Sequence, residues 1–344
     1  MKKVVLVSLM LIAMSATLFA SGASEESSAK SDDGKVKVAL IVENTIDDKG
    51  WCQAMHDGVL GAQESMPGEI EYSYSEKMKP VDAGSAARQY VADGYDIIIG
   101  HGAQYKNLIL EMADEYPDVT FAFGTSAEVG PDNVVTYMPE SEETGYLSGM
   151  IAATISNVNV LGVVGPVDGG DAARYNRGFV LGAKSINPDV EIMVAHTGSF
   201  SDYIKAGQVA QTQIQAGVDV LTGSSQQALG ALRATADYPN EEIWWVGQDL
   251  AQLKMEEGKT KCVAASSYDY VPVIISLVEN VQNGVKGGYS VPMNFANGGF
   301  IFGFNEALSD VTGAQLVEDV NAQISKFVNN TNSVDWKSVD YSKL

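Results

Sequence analysis

Residues able to stack on a ring or bond to its edge recur at one kind of position in this 344-residue chain, at or just past the end of a short aliphatic run. Asn44, Asp47, Asp48 and Trp51 follow "KVALIVE", His101, Gln104 and Tyr105 end or follow "YDIIIGHG", and Thr125 and Ser126 close "VTFAFGTS". In the second half, Pro166, Asp168 and Asp171 follow one run, and Thr197, Ser199, Phe200 and Asp202 the next. Ser224, Ser225 and Gln226 come after a third, Gln248 and Asp249 after a fourth, and Ser267, Tyr268 and Asp269 after a fifth. Aromatic faces combined with carboxylates and amides suit a flat, hydrogen-bonding small molecule of little or no charge. Catalytic chemistry finds no comparable support. No G-x-S-x-G elbow occurs, and the carboxylates come with no matched base. "GHGAQY" is not a complete G-x-G-x-x-G, and "GPVDGGD" lacks the Gly-Lys-Ser/Thr of a phosphate loop. His56, His101 and His196 are scattered, so no metal site and no cofactor is expected.

The elements that position these residues alternate between strand and helix almost from end to end, the pattern of parallel sheets with crossover helices. Strands are predicted at 37–43, 69–76, 95–102, 119–126, 133–139, 160–166, 191–198, 218–224, 242–249, 261–268 and 299–305. Eleven strands exceed one comfortable doubly wound sheet, so two α/β lobes are expected, facing each other across a hinged cleft. Ligands of open α/β sheets lie beyond the carboxyl ends of the strands, where the polar residues above are found. Each also has a structural reading: Asp47 or Asp48 is a good helix cap, and Trp51 could pack beneath the helix that follows. Trp244 and Trp245 face opposite sides of a strand, and at least one belongs to a core.

Charge and cysteine content narrow the class further. The chain carries 22 Lys and Arg against 44 Asp and Glu, with no basic patch to neutralise phosphates, so nucleic acid and anionic membranes are not expected partners. Cys52 and Cys262 form neither a disulfide framework nor a zinc spacing. Two lysines, an apolar run and small residues at the start read as a secretory signal over 1–23, cleaved after Ala20 or Ala23, with a polar tether over 24–35. Ser21 stands where a lipoprotein signal would carry its cysteine, so an extracytoplasmic protein without that anchor is expected.

The ordered set "VALIVE…DDKGW", "GYDIIIGHG", "YPDVTFAFG", "NVVTY…ETGYLSGMIAA", "LGVVGP", "RGFVLGAKSINPDVEI", "GSFSD", "GVDVLTGSS" and "VGQD" resembles the basic membrane protein family of ABC-transporter substrate-binding proteins, which includes purine nucleoside receptors. The likeness spans about residues 36–305. It implies the type I periplasmic-binding fold, an α/β architecture of two doubly wound parallel-sheet lobes joined by three crossings. The lobes are then expected at 36–140 with 266–290 and at 141–265 with 291–330, followed by a tail over 331–344. The resemblance places Trp51 and Phe200 on the two faces of the ligand's ring and Asp249 on ribose hydroxyls; from their places at the strand ends, Asp48, His101, Gln104, Tyr105, Ser224, Gln248 and Tyr268 are expected to add ligand contacts. Three positions depart from the family pattern: Cys52 replaces an asparagine, Thr125 an acid and Tyr268 a lysine. The function implied is delivery of a purine nucleoside or related heterocycle to an ABC permease and ATPase, by a monomer that is not an enzyme. Free nucleobases and flavins remain open as ligands, as does a sensing role at a membrane receptor.

Overall fold

A computed structural model describes residues 34–344. The expected signal at 1–23 and the tether up to residue 33 lie outside the described residues. The first run comprises β1 (Val36–Ile41), α1 (Trp51–Ser65), β2 (Ile70–Ser75), α2 (Pro80–Ala92), β3 (Ile97–Gly100), α3 (Lys106–Glu115), β4 (Thr120–Gly124) and β5 (Val134–Pro139). A second run follows, with α4 (Glu142–Ile155), β6 (Val160–Gly165), α5 (Gly170–Ile186), β7 (Glu191–His196), α6 (Tyr203–Gln215), β8 (Val220–Gly223), α7 (Ala228–Ala236), β9 (Trp244–Gly247), α8 (Glu256–Lys261) and β10 (Cys262–Tyr268). The chain then returns for α9 (Val271–Gln282) and β11 (Tyr289–Met293), and ends with β12 (Phe300–Phe304) and α10 (Ser309–Val328).

Pairing sorts these strands into two six-stranded sheets, β11-β5-β4-β3-β1-β2 and β12-β10-β9-β8-β6-β7. Every pairing is parallel except β12 against β10. Central strands such as "IIIG" and "TFAFG" are buried throughout because helices cover both faces, which is why they read as unbroken aliphatic runs. The chain passes between the sheets three times, after β5, β10 and β11. The last two passages fall slightly later than expected, because β10 stays paired with β12 through Tyr268 and β11 with β5 through Met293.

Among the described residues twelve strands form where eleven were predicted, the addition being β11. Its sequence, "YSVPM", follows two glycines, buries only Met293 and contains a proline, which an edge strand tolerates and a central one does not. Helices α4 and α5 lie close through paired glycines: a Cβ on Gly145 would stand 2.1 Å from the Tyr175 carbonyl oxygen, and one on Gly178 2.3 Å from that of Glu142. This contact brings the first turn of α5, with Asp171 and Arg174, up to the first passage between the sheets, where Arg174 pairs with Glu140 and Glu142. Both cysteines are buried free thiols, Cys52 in the first sheet's core and Cys262 in the second's. The C-terminal segment packs Val334, Val339 and Tyr341 against the second lobe's core and lays the Trp336 ring 5.5 Å from the Arg174 guanidinium.

Candidate functional site

The site begins with the entry into α1. Asp48 is buried, and its Oδ1 accepts from the backbone N–H groups of Gly50 (3.0 Å) and Gln53 (3.1 Å) while Oδ2 accepts from that of Cys52 (3.3 Å). A carboxylate here satisfies N–H groups that lack helical partners and complements the helix dipole, so the capping reading holds for Asp48. Asp47 is exposed. Between Asp48 and the helix, Lys49 takes a φ of 58°, a left-handed turn that sets Trp51 as the first helical residue.

The Trp51 indole lies flat on the His101 imidazole, with centroids 4.3 Å apart and planes 12° apart, and stands edge-on to Tyr268 and Tyr270. Its Nε1 donates to the His101 carbonyl, and His101 Nε2 lies 3.0 Å from the Trp51 carbonyl oxygen. A carbonyl only accepts, so Nε2 carries the imidazole proton and Nδ1 accepts from the Tyr137 hydroxyl at 2.7 Å. Burial depresses the His101 pKa to about 3, which keeps the ring neutral at any physiological pH. The first lobe thus supplies a tryptophan backed by a buried, uncharged aromatic stack.

The second lobe supplies a polar chain. The Tyr268 hydroxyl donates to Asp171 at 2.6 Å and accepts from Gln248 Nε2 at 2.9 Å. Gln248 Oε1 accepts from the backbone N–H of Ser225, itself held at a φ of 63°. Burial raises the Asp171 carboxyl above the usual carboxylate range, against the pull of the Tyr268 hydroxyl. Asp249 is 7% exposed, and its side chain accepts from the Ala251 N–H at 2.7 Å. Burial pushes its carboxyl up to about 7, and the nearby charge of Asp48 acts in the same direction.

A cavity of about 600 Å³ opens between α1 and the turn at Leu250–Lys254, with Lys49 and Asp57 on one side, Asp249 and Lys254 on the other, and Tyr268 and Tyr270 between. Its volume suits a nucleoside-sized molecule. Among the described residues, no group of three or more His, Cys, Asp or Glu side chains is placed to hold a metal ion.

Of the candidates named from sequence, Asp249 and Tyr268 line this cavity, while Trp51, edge-on to Tyr268, Gln248, bonded to its hydroxyl, and Asp48, at the start of α1, lie beside it. The others are placed differently. Tyr105 is fully buried in the core between the first sheet and α2 and α3, with its hydroxyl on the Met78 carbonyl, so it is no wall of the cleft. His101 and Ser224 lie one layer behind the surface, the first under Trp51 and the second donating to Asn176. Gln104 is exposed and donates to Glu43, and Phe200 projects half-exposed from the loop before α6. Tyr270 and Tyr137 were not singled out, and Asp171 and Gln226, named among the strand-end residues, were not carried into the expected ligand contacts. Only its nearness to Tyr268 in "YDY" could have signalled Tyr270, which lies past the end of β10 at the N-terminal cap position of α9.

With this geometry in hand, comparison with known proteins gives the family. The profile described as "ABC transporter substrate-binding protein PnrA-like" matches residues 35–336. The chain belongs to the Bmp family. It is 26% identical over 336 residues to the ABC transporter nucleoside-binding protein BmpA of Lactococcus lactis, with 91% of this chain and 94% of that one covered. It is 28% identical over 189 residues to a purine-binding protein of Brucella abortus, covering 55% of this chain and 54% of the other. A solved solute-binding protein of Conexibacter woesei superposes with a TM-score of 0.73 at 23% identity, covering 87% of this chain and 98% of that one, and shares the fold. As a Bmp family member the chain is a substrate-binding protein of an ABC transporter and not an enzyme, so its partners are a small molecule and transporter components. Such proteins work outside the cytoplasm, and no described helix is long and apolar enough to cross a membrane.

Proposed function

We propose that this Bmp protein captures a purine nucleoside, or a closely related flat heterocycle, between its lobes and presents it to an ABC importer. The observation that carries this reading is Asp249: a carboxylate 7% exposed, with one backbone donor, lining the cavity that Tyr268 and Tyr270 floor. A buried carboxylate with acceptor capacity left over is costly unless a ligand brings donors, and the vicinal hydroxyls of a ribose bring two. Trp51 supplies the ring platform, and Phe200, half-exposed on the loop before α6, is the aromatic that the second lobe offers to the other ring face. Gln248 and Tyr268 set the edge of the site. The names of the Lactococcus and Brucella relatives agree with this ligand class.

Calorimetric titration of the mature protein with guanosine, inosine, adenosine, the free bases and riboflavin tests the reading. Micromolar or tighter binding of a nucleoside supports it. Binding of riboflavin or a free base alone moves the assignment to that heterocycle, and no binding by any member of the set overturns it.

A further inference from the structure

Four consecutive residues, Ser224 to Gln227, close the end of β8, and three of them send their side chains back into their own lobe. Ser224 donates to Asn176, Ser225 Oγ donates to the Phe200 carbonyl, and Gln227 Nε2 donates to the carbonyls of Val164 and Ser224. Gln226 points the other way: its Nε2 donates at 3.0 Å to Oδ2 of Asp48, on the opposite lobe. Both ends of this bond are tied to the ligand walls. Asp48 caps the helix that begins with Trp51, and Gln248, which holds the Ser225 backbone, also holds the Tyr268 hydroxyl. The Gln226 methylenes pass within van der Waals range of Gly50, the residue before α1. The Tyr203 hydroxyl of the second lobe sits beside Asn44 of the first, so the lobes touch at more than one point here.

We propose that Gln226 is a positioning residue that latches the two lobes across the cleft, and that ligand residence time depends on its bond to Asp48. A contact made only when the lobes meet stabilises the closed arrangement and slows ligand release without touching the ligand. The inference rests on hinged capture by a substrate-binding protein and holds whichever heterocycle is captured.

The test pairs stopped-flow release of guanosine with small-angle scattering of the unliganded and guanosine-bound protein. Gln226→Ala is expected to release guanosine about tenfold faster, as loss of a hydrogen bond to a charged acceptor implies. Its radius of gyration is expected to exceed that of the wild type while its melting temperature stays unchanged. Gln226→Glu, which sets a carboxylate against Asp48, should open the lobes further, and adding Asp48→Asn should reverse that change, because an amide then donates to a carboxylate. A wild-type release rate and radius in Gln226→Ala overturn the latch, as does failure of Asp48→Asn to reverse the Gln226→Glu change in a cooperatively melting double variant. Should the wild type bind no guanosine, release is read with inosine or adenosine; should it bind none of the three, the nucleoside reading fails separately, and the scattering of the unliganded proteins alone decides the latch.

Discussion

The two walls of the cleft are built on different physical principles. On the first lobe, Trp51, His101, Tyr137 and Tyr270 form one aromatic stack whose polar atoms are largely spent on each other and on backbone carbonyls. On the second lobe, Asp171, Tyr268, Gln248 and Ser225 form a hydrogen-bonded chain, and Asp249 beside it keeps acceptor capacity in reserve. Apart from the unpaired Tyr270 hydroxyl the stack keeps little polar reserve, and such a surface takes a flat ring with little discrimination. A carboxylate held at the edge of its ionisation discriminates strongly, because only a ligand that donates to it offsets its burial. On the proposed function, ring affinity would belong to the first lobe and hydroxyl recognition to the second.

Removing the platform should produce the largest effect. Trp51→Ala is expected to weaken nucleoside and free base alike by about 30-fold or more, given about 1–3 kcal/mol per stacked base and the disorder left around His101, as read by calorimetry. Loss confined to the nucleoside would break the division of labour.

The next effect separates the walls directly. Asp249→Asn should cost about tenfold for a nucleoside and little for its base. Asp249 also predicts a pH dependence. Its carboxyl titrates near 7 when the cleft is empty, and a ligand donating hydroxyl groups favours the ionised form, so nucleoside affinity should rise from pH 5 to pH 8. The folded pKa lies above the ordinary carboxylate value, so this group's contribution to stability is greatest at low pH and falls as pH rises towards 7. Asp249→Asn should flatten the affinity dependence and remove only its own share of the stability dependence, since burial also pushes Glu143 up to about 7, whereas His101, neutral down to about pH 3, adds nothing to either over this range.

A smaller change is expected at Tyr268→Phe. The hydroxyl's loss leaves Asp171 buried without its side-chain donor and frees Gln248, at a cost of about 1–3 kcal/mol in chemical denaturation and a few-fold in affinity. Smallest of all, Tyr105→Phe should lower stability by about 1 kcal/mol and leave affinity unchanged, since its hydroxyl meets only the Met78 carbonyl. A marked affinity loss there would return Tyr105 to the cleft.

The division between walls was partly legible in the sequence. Strand and helix alternation located the carboxyl edges of both sheets, and Asp48, Trp51, Gln248, Asp249 and Tyr268 followed from that edge. Depth did not follow, because a position at a strand end says which edge a residue occupies and not where its side chain points. Tyr105 illustrates the limit: Gly100 lacks a Cβ, one built there would lie 2.8 Å from Tyr105 Cβ, and the ring turns inward through that gap. His101 is similar, since the backbone bonds that bury it against Trp51 join residues 50 apart. The strand β11 escaped notice because its burial pattern is that of a loop, and only its pairing with β5 makes it a strand.

Mass spectrometry of the small molecule released from the protein purified under native conditions, without added ligand, tests the central claim most directly. A purine nucleoside, bearing both the ring that Trp51 would carry and the hydroxyls that Asp249 would accept, is the expected result. An aliphatic amino acid or a simple sugar, with no flat ring at all, would contradict it.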